Sequence, residues 1–147
     1  VSDIFLAIKH LLDSGFVKPS SINVIGWSYG GGSVLQALSK MPERPDIKIG
    51  AAVAYYPDCR TVDKWNAAVP LLVLFGGEDD VAPPAICKEL FIGEVSKHIK
   101  VEEYPGAHHA FDLYTLPPET EYRFGTLGYH KEAAEKAWSA VMKFLVR

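Results

Sequence analysis

The sequence predicts an α/β fold: a three-layer arrangement of about four parallel strands with helices on both faces. Three observations carry this. Ile22–Trp27, Ile47–Tyr56 and Pro70–Phe75 are short, almost wholly apolar runs, as parallel strands covered on both faces must be. The segments around them carry apolar residues at helical spacing. Glycine and proline mark nearly every junction between the two kinds of segment.

In order, Ser2 to Ser14 reads as a helix whose apolar face is Ile4, Phe5, Ile8, Leu11 and Leu12. Ser2 caps its start, Gly15 stops it, and Pro19 bars continuation. Ile22 to Trp27 is the first strand, and Tyr29 to Met41 a helix ended by Pro42. Ile47 to Tyr56 is the second strand, closed by Pro57, with Trp65 on a short helical turn beyond it. Pro70 to Phe75 is the third strand, stopped by Gly76 and Gly77. Pro83 to Lys97 follows as a helix that tolerates its two prolines in the first turn. Ile99 to Tyr104 is the fourth strand. Tyr129 to Arg147 is a last amphipathic helix, with Ala134, Ala137, Trp138, Val141 and Leu145 toward the core. Lys143 and Arg147 suit the negative end of its dipole. Phe111 to Gly128 is the longest irregular stretch, a candidate lid or pocket wall.

Composition sets outer limits. With 147 residues, 48% of them hydrophobic, the chain reads as a single domain over 1–147, or part of one. A net charge of −3 without a basic patch argues against nucleic acid as a partner. No run approaches the roughly 18 apolar residues that span a bilayer, so no membrane is expected. Val1 looks like the middle of a protein. Cys59 and Cys87 are either two buried thiols or one bridge between neighbouring loops. A bridge would point to an oxidising compartment; otherwise cytoplasm is slightly favoured.

The chemistry starts at Gly26-Trp27-Ser28-Tyr29-Gly30, a Gly-x-Ser-x-Gly pattern between a strand and a helix. Such a turn lifts a serine hydroxyl clear of the sheet, and both glycines are expected where backbone passes too close for a Cβ. A serine hydroxyl needs a base within hydrogen-bond reach, and the base needs an orienting group. In a parallel sheet these gather at the carboxyl ends of strands. After the third strand come Glu78-Asp79-Asp80, and after the fourth His108-His109. An Asp would orient a His, the His would take the Ser28 proton, and the Tyr29 backbone N–H would face a developing oxyanion. One of Asp79 and Asp80 is expected to cap the next helix, and one histidine to be a bystander. Glu78, Asp112 and Glu119 read as solvated, while Trp27, Tyr56 and Phe111 are candidates for a substrate pocket. No metal is expected, because His108, His109 and Asp112 lack ligand spacing on one helix face. The triple glycine Gly30-Gly31-Gly32 fits no phosphate-binding pattern, and no cofactor is expected.

These residues resemble the C-terminal portion of the dienelactone hydrolase family of α/β-hydrolases. The resemblance rests on Gly76-Gly77-Glu78-Asp79 followed by Pro83, on Tyr104 with Gly106-Ala107-His108-His109-Ala110-Phe111, and on Tyr129-His130-Lys131-Glu132-Ala133-Ala134. It selects Asp79 over Asp80 and His109 over His108, giving a Ser28–His109–Asp79 triad. It implies a truncated half of an α/β-hydrolase-like sheet and a serine hydrolase acting through an acyl-enzyme. The founding members use cysteine where this chain has Ser28. They place an arginine for a substrate carboxylate where it has Leu113. The implied substrate is therefore a general small-molecule ester or lactone. The family's sheet has further strands before the segment matching Val1, and these supply its second oxyanion donor. Without them Ile22 to Trp27 becomes an apolar edge, expected to pair with another copy of the chain. The alternatives are a non-catalytic or weakly active fragment that serves as a binding or assembly partner, and a peptidase or acyl-transferase of the same superfamily.

Overall fold

A computed structural model describes residues 1–18 and 22–146. Pro19 and Arg147, assigned roles at helix ends above, lie outside the described residues. The elements are α1 (Ser2–Asp13), β1 (Asn23–Trp27), α2 (Tyr29–Ser39), β2 (Ala51–Tyr55), β3 (Leu71–Gly76), α3 (Pro84–Leu90), β4 (Ile99–Tyr104), β5 (Thr120–Tyr122), β6 (Gly125–Leu127) and α4 (Lys131–Leu145). Short 3-10 turns occupy Met41–Glu43, Cys59–Thr61 and Glu94–His98. The main sheet has four strands in the order β1-β2-β3-β4, all parallel.

Because strand side chains alternate between faces, the sheet divides the core in two. Ala52, Ala54, Leu71, Val73 and Phe75 meet α1, α2 and α3 on one side. Val53, Tyr55, Leu72 and Leu74 meet α4 on the other. All six residues of β3 are buried, which is why that strand reads as an unbroken apolar run. The three-layer expectation therefore holds. Strand β1 pairs on one side only among the described residues, and Trp27 at its end is 46% exposed. No helix of the described residues is long and apolar enough to cross a membrane.

Several boundaries differ from the sequence reading. Helix α2 stops at Ser39, before Pro42, which sits in the 3-10 turn that follows. Strand β2 starts only at Ala51; Ile47 and Ile49 are buried in the first core from an irregular lead-in. The expected helix from Pro83 to Lys97 ends at Leu90, because Gly93 at φ 79° breaks the helical path before the Glu94–His98 turn. Trp65 is not on a helical turn: the turn is Cys59–Thr61, and Trp65 is buried in irregular chain, edge-on to Phe91. The stretch from Phe111 to Gly128 holds the antiparallel β5–β6 hairpin.

The buried face of α4 is also rotated from expectation. Ala133, Ala137, Ala140, Val141 and Phe144 pack on the sheet, and Trp138 is 61% exposed. Alanines on the inner face let the helix approach closely, and one residue further turns a side chain by about 100°. Cys59 and Cys87 form a disulfide that ties the Cys59–Thr61 turn to α3, the second of the two readings for these cysteines.

Phe144→Ala should cost about 3–5 kcal/mol in denaturant unfolding, whereas Trp138→Gln should stay within about 0.5 kcal/mol. Reducing the Cys59–Cys87 bridge should lower stability by about 2–4 kcal/mol, read as a shift of the same transition.

Candidate active site

With all four strands running the same way, their carboxyl ends share one rim, and each contributes to it. At the end of β1, Ser28 adopts φ 51° and ψ −119°. Its N–H donates to the Tyr55 carbonyl at 3.0 Å, and its own carbonyl accepts from Gly32 N–H at 3.0 Å. A Cβ on Gly26 would collide with the Gly30 carbonyl, so the turn closes only with glycine there. Gly30 differs from expectation: a Cβ on it would meet open space. Tyr29 opens α2, and the N–H groups of a first helical turn lack intrahelical acceptors.

At the end of β3, a Cβ on Gly76 would strike the Ala107 carbonyl. The acid loop and the histidine loop are joined there by Gly77 N–H to the Tyr104 carbonyl at 2.8 Å and Glu78 N–H to the Ala107 carbonyl at 3.0 Å. Asp79 is 4% exposed. Its Oδ1 accepts from the N–H groups of Val81 at 3.0 Å and Ala82 at 2.8 Å. Its Oδ2 lies 2.8 Å from His109 Nδ1. An ionised carboxylate only accepts, so Nδ1–H donates and Nε2 is left as the acceptor. That Nε2 lies 2.7 Å from Ser28 Oγ.

The neighbouring candidates do other things. His108 donates from Nδ1 to the Glu78 carbonyl at 3.0 Å. Neither aspartate caps α3, whose N-cap is Pro83. Asp80 instead accepts from Thr126 N–H at 2.7 Å and Thr126 Oγ1 at 3.2 Å, which anchors the hairpin. That anchoring holds the Asp80 carboxyl below the usual carboxylate range, with the backbone bond from Thr126 as the main cause. Glu78 and Glu119 are exposed.

Of the pocket candidates, Trp27 is stacked on Tyr55 at 5.4 Å, at the exposed edge. Tyr56, just beyond β2, has φ 36°, and its ring centroid is 4.6 Å from that of His109. Burial, then the nearby Asp112, pushes its phenol pKa far up, so it stays a neutral donor. Phe111 does not line a pocket: it is fully buried behind Tyr55, Tyr56 and Tyr104. Asp112, read above as solvated, is instead drawn into the site. It is half-buried and accepts from Trp27 Nε1–H at 2.8 Å and Tyr56 OH at 2.6 Å. The available signal was two donor-bearing aromatics at strand ends, each needing an acceptor. Beside Tyr29, a cavity of about 130 Å3 is lined by Gly32, Ser33, Gln36, Asp58 and Thr61. A larger one of about 500 Å3, lined by Arg60, Trp65, Ile86 and Leu90, includes none of Ser28, Asp79 and His109.

The model of the dienelactone hydrolase family matches residues 1–147. A curated archaeal protein of Saccharolobus solfataricus, named "Putative carboxymethylenebutenolidase", is 28% identical over 156 aligned residues that take in 100% of this chain. The chain spans about half of that relative's length, 51%. Among solved structures, "Putative Dienelactone Hydrolase" from Klebsiella pneumoniae superposes with TM-score 0.70 at 18% identity, over 99% of this chain and 59% of that one. A Mycobacterium tuberculosis puromycin-hydrolyzing peptidase superposes with TM-score 0.63 at 16% identity, over 95% of this chain and 23% of that one. At such identities the two structures show the shared fold.

The two glycines flanking the serine should separate in a stability assay. Gly26→Ala should destabilise by at least about 2 kcal/mol, because backbone has to move. Gly30→Ala, inside a helix and in open space, should be neutral or stabilise by up to about 1 kcal/mol.

Proposed function

The chain belongs to the dienelactone hydrolase family, hydrolases of the α/β superfamily, and from that premise we propose that it acts as a serine hydrolase on a carboxylic ester or lactone. The observation that carries the proposal is the unbroken line Ser28 Oγ–His109 Nε2 at 2.7 Å and His109 Nδ1–Asp79 Oδ2 at 2.8 Å. Nucleophile, base and orienting acid stand within transfer distance, and the acid is held by two further backbone N–H groups.

In the proposed cycle Ser28 Oγ attacks the acyl carbon while His109 Nε2 takes its proton. The carbonyl oxygen becomes an oxyanion within reach of the Tyr29 N–H, at the positive end of α2. One such donor is typically worth about 100- to 1,000-fold in rate. Asp79 stabilises the imidazolium without itself being protonated. The intermediate collapses, the C–O bond to the alcohol breaks, and His109 returns the proton to the departing oxygen. Water, deprotonated by His109, then attacks the acyl-enzyme. The carboxylic acid leaves and Ser28 regains its proton. Leu113, 45% exposed near the rim, supplies no positive charge, which favours substrates without a free carboxylate there.

The test uses the full-length protein with a fluorophosphonate probe and p-nitrophenyl acetate. Ser28→Ala should abolish labelling and turnover, and Asp79→Asn should lower kcat by about 10,000-fold through the wrong imidazole tautomer. Labelling and turnover no greater than those of Ser28→Ala would overturn the proposal and leave a non-catalytic binding or assembly role.

A further inference from the structure

Resting on the hydrolase reading, we infer that Asp112 is a positioning residue, whose carboxylate clamps Trp27 and Tyr56 together and through them fixes the serine turn and the His109 imidazole. Its two oxygens are used separately: Oδ2 accepts from the Trp27 indole N–H at 2.8 Å and Oδ1 from the Tyr56 hydroxyl at 2.6 Å. The two donors come from different strand ends, and the acceptor from the turn that follows His109. Three chain segments are thus pinned at one point. Hydrogen bonds to a charged acceptor are about twice as strong as neutral ones.

What the clamp holds gives it a functional sense. Trp27 precedes Ser28 directly, and its ring is stacked on Tyr55 at 5.4 Å. Tyr56 lies against the imidazole, 4.6 Å between centroids, and carries a positive φ of 36°. Tyrosine rarely adopts that backbone conformation, and packing on Tyr55 and Phe111 holds the body of the ring, which leaves its hydroxyl end to a polar tether. The tether is the bond to Asp112. Without it the ring keeps its packing on Tyr55 and Phe111 but loses the fixed point at its hydroxyl end, which loosens the wall that keeps Nε2 aligned with Ser28 Oγ.

The turn itself does not require the Asp112 side chain. Its backbone bonds run from Leu113 N–H to the Ala110 carbonyl at 3.0 Å and from His130 N–H to the Phe111 carbonyl at 2.9 Å. Phe111, next to it, supplies the buried anchor. Asp112 is only half-buried, so replacing it opens no core cavity. An aspartate spent on two aromatic donors, and not on the loop that bears it, serves the site.

Asp112→Asn is the informative variant. The amide keeps one acceptor oxygen for the Trp27 indole and turns its NH2 toward the Tyr56 hydroxyl, which must then accept where it donated, so the Tyr56 bond is reversed and both bonds lose the charged acceptor. In the full-length protein the rate of Ser28 labelling by fluorophosphonate, and kcat on p-nitrophenyl acetate, should fall about tenfold, with KM within about twofold. Tyr56→Phe, which keeps the ring and loses one bond, should lower kcat about threefold. The double variant should be no slower than Asp112→Asn alone, because both remove one clamp. An independent readout is the Trp27 indole N–H proton resonance, assigned by its loss in Trp27→Phe. It should lie downfield in the wild type and move upfield in Asp112→Asn.

Wild-type labelling with an unchanged rate in Asp112→Asn would overturn the positioning role while the hydrolase reading stood. So would an unmoved indole resonance, or additive losses in the double variant. If Asp112→Asn does not fold, Tyr56→Phe decides: a loss of about threefold supports the clamp, and an unchanged kcat overturns it. A wild type that labels no faster than Ser28→Ala overturns the hydrolase reading, and the positioning role with it.

Discussion

Ser28 is held at φ 51° and ψ −119°, a conformation that costs an L-residue about 1–3 kcal/mol and persists only where its surroundings insist on it. Here they do so by prolonging the sheet. The parallel ladder continues one residue past β1, β2 and β3: Ser28 N–H reaches Tyr55, Tyr56 N–H reaches Leu74, and Gly77 N–H reaches Tyr104. Each of these bonds lies at the point where a chain leaves the sheet for the rim. The rim is therefore built on sheet geometry, not on free loops, and the groups mounted there inherit the rigidity of the two packed cores beneath. The close passage of Gly26 by the Gly30 carbonyl completes the turn, since it lets α2 start immediately after the serine.

The polar groups of the rim divide their work. Asp79 spends both oxygens locally, one on Val81 and Ala82 and one on His109, and so is fixed before any substrate arrives. Asp80, the next residue, faces the hairpin and holds Thr126. Burying a carboxylate is tolerable only when its lone pairs are met, and at Asp79 they are. Two adjacent aspartates thus carry two unrelated duties because the backbone turns between them.

Much of this was legible in the chain. The apolar runs gave the parallel strands, and β4 falls at Ile99–Tyr104 as read, because its ends are marked by a 3-10 turn and by Pro105. The Ser, Asp, His order placed three residues that the fold brings within hydrogen-bond reach. The misses have physical causes. Composition could not show that the inner face of α4 needs alanines for close approach, which turns Trp138 out to solvent. Gly93 reads as a tolerated residue inside a helix until its positive φ is seen. The short β5 and β6 strands carry no alternation that a pattern search would register. Asp112 resembled any solvated acid because its partners stand 85 and 56 residues away.

The Cys59–Cys87 bridge closes a loop of chain with a sequence separation of 28, and β3, one of the sheet's two interior strands, lies within it together with Asp79. Arg60 and Lys64 stand inside the same ring, and both are exposed basic residues of the kind trypsin cuts. A single nick at either would leave the two pieces covalently joined. Such a clipped molecule would migrate as one species on a gel until a thiol was added, and would keep β3 tethered to the rest.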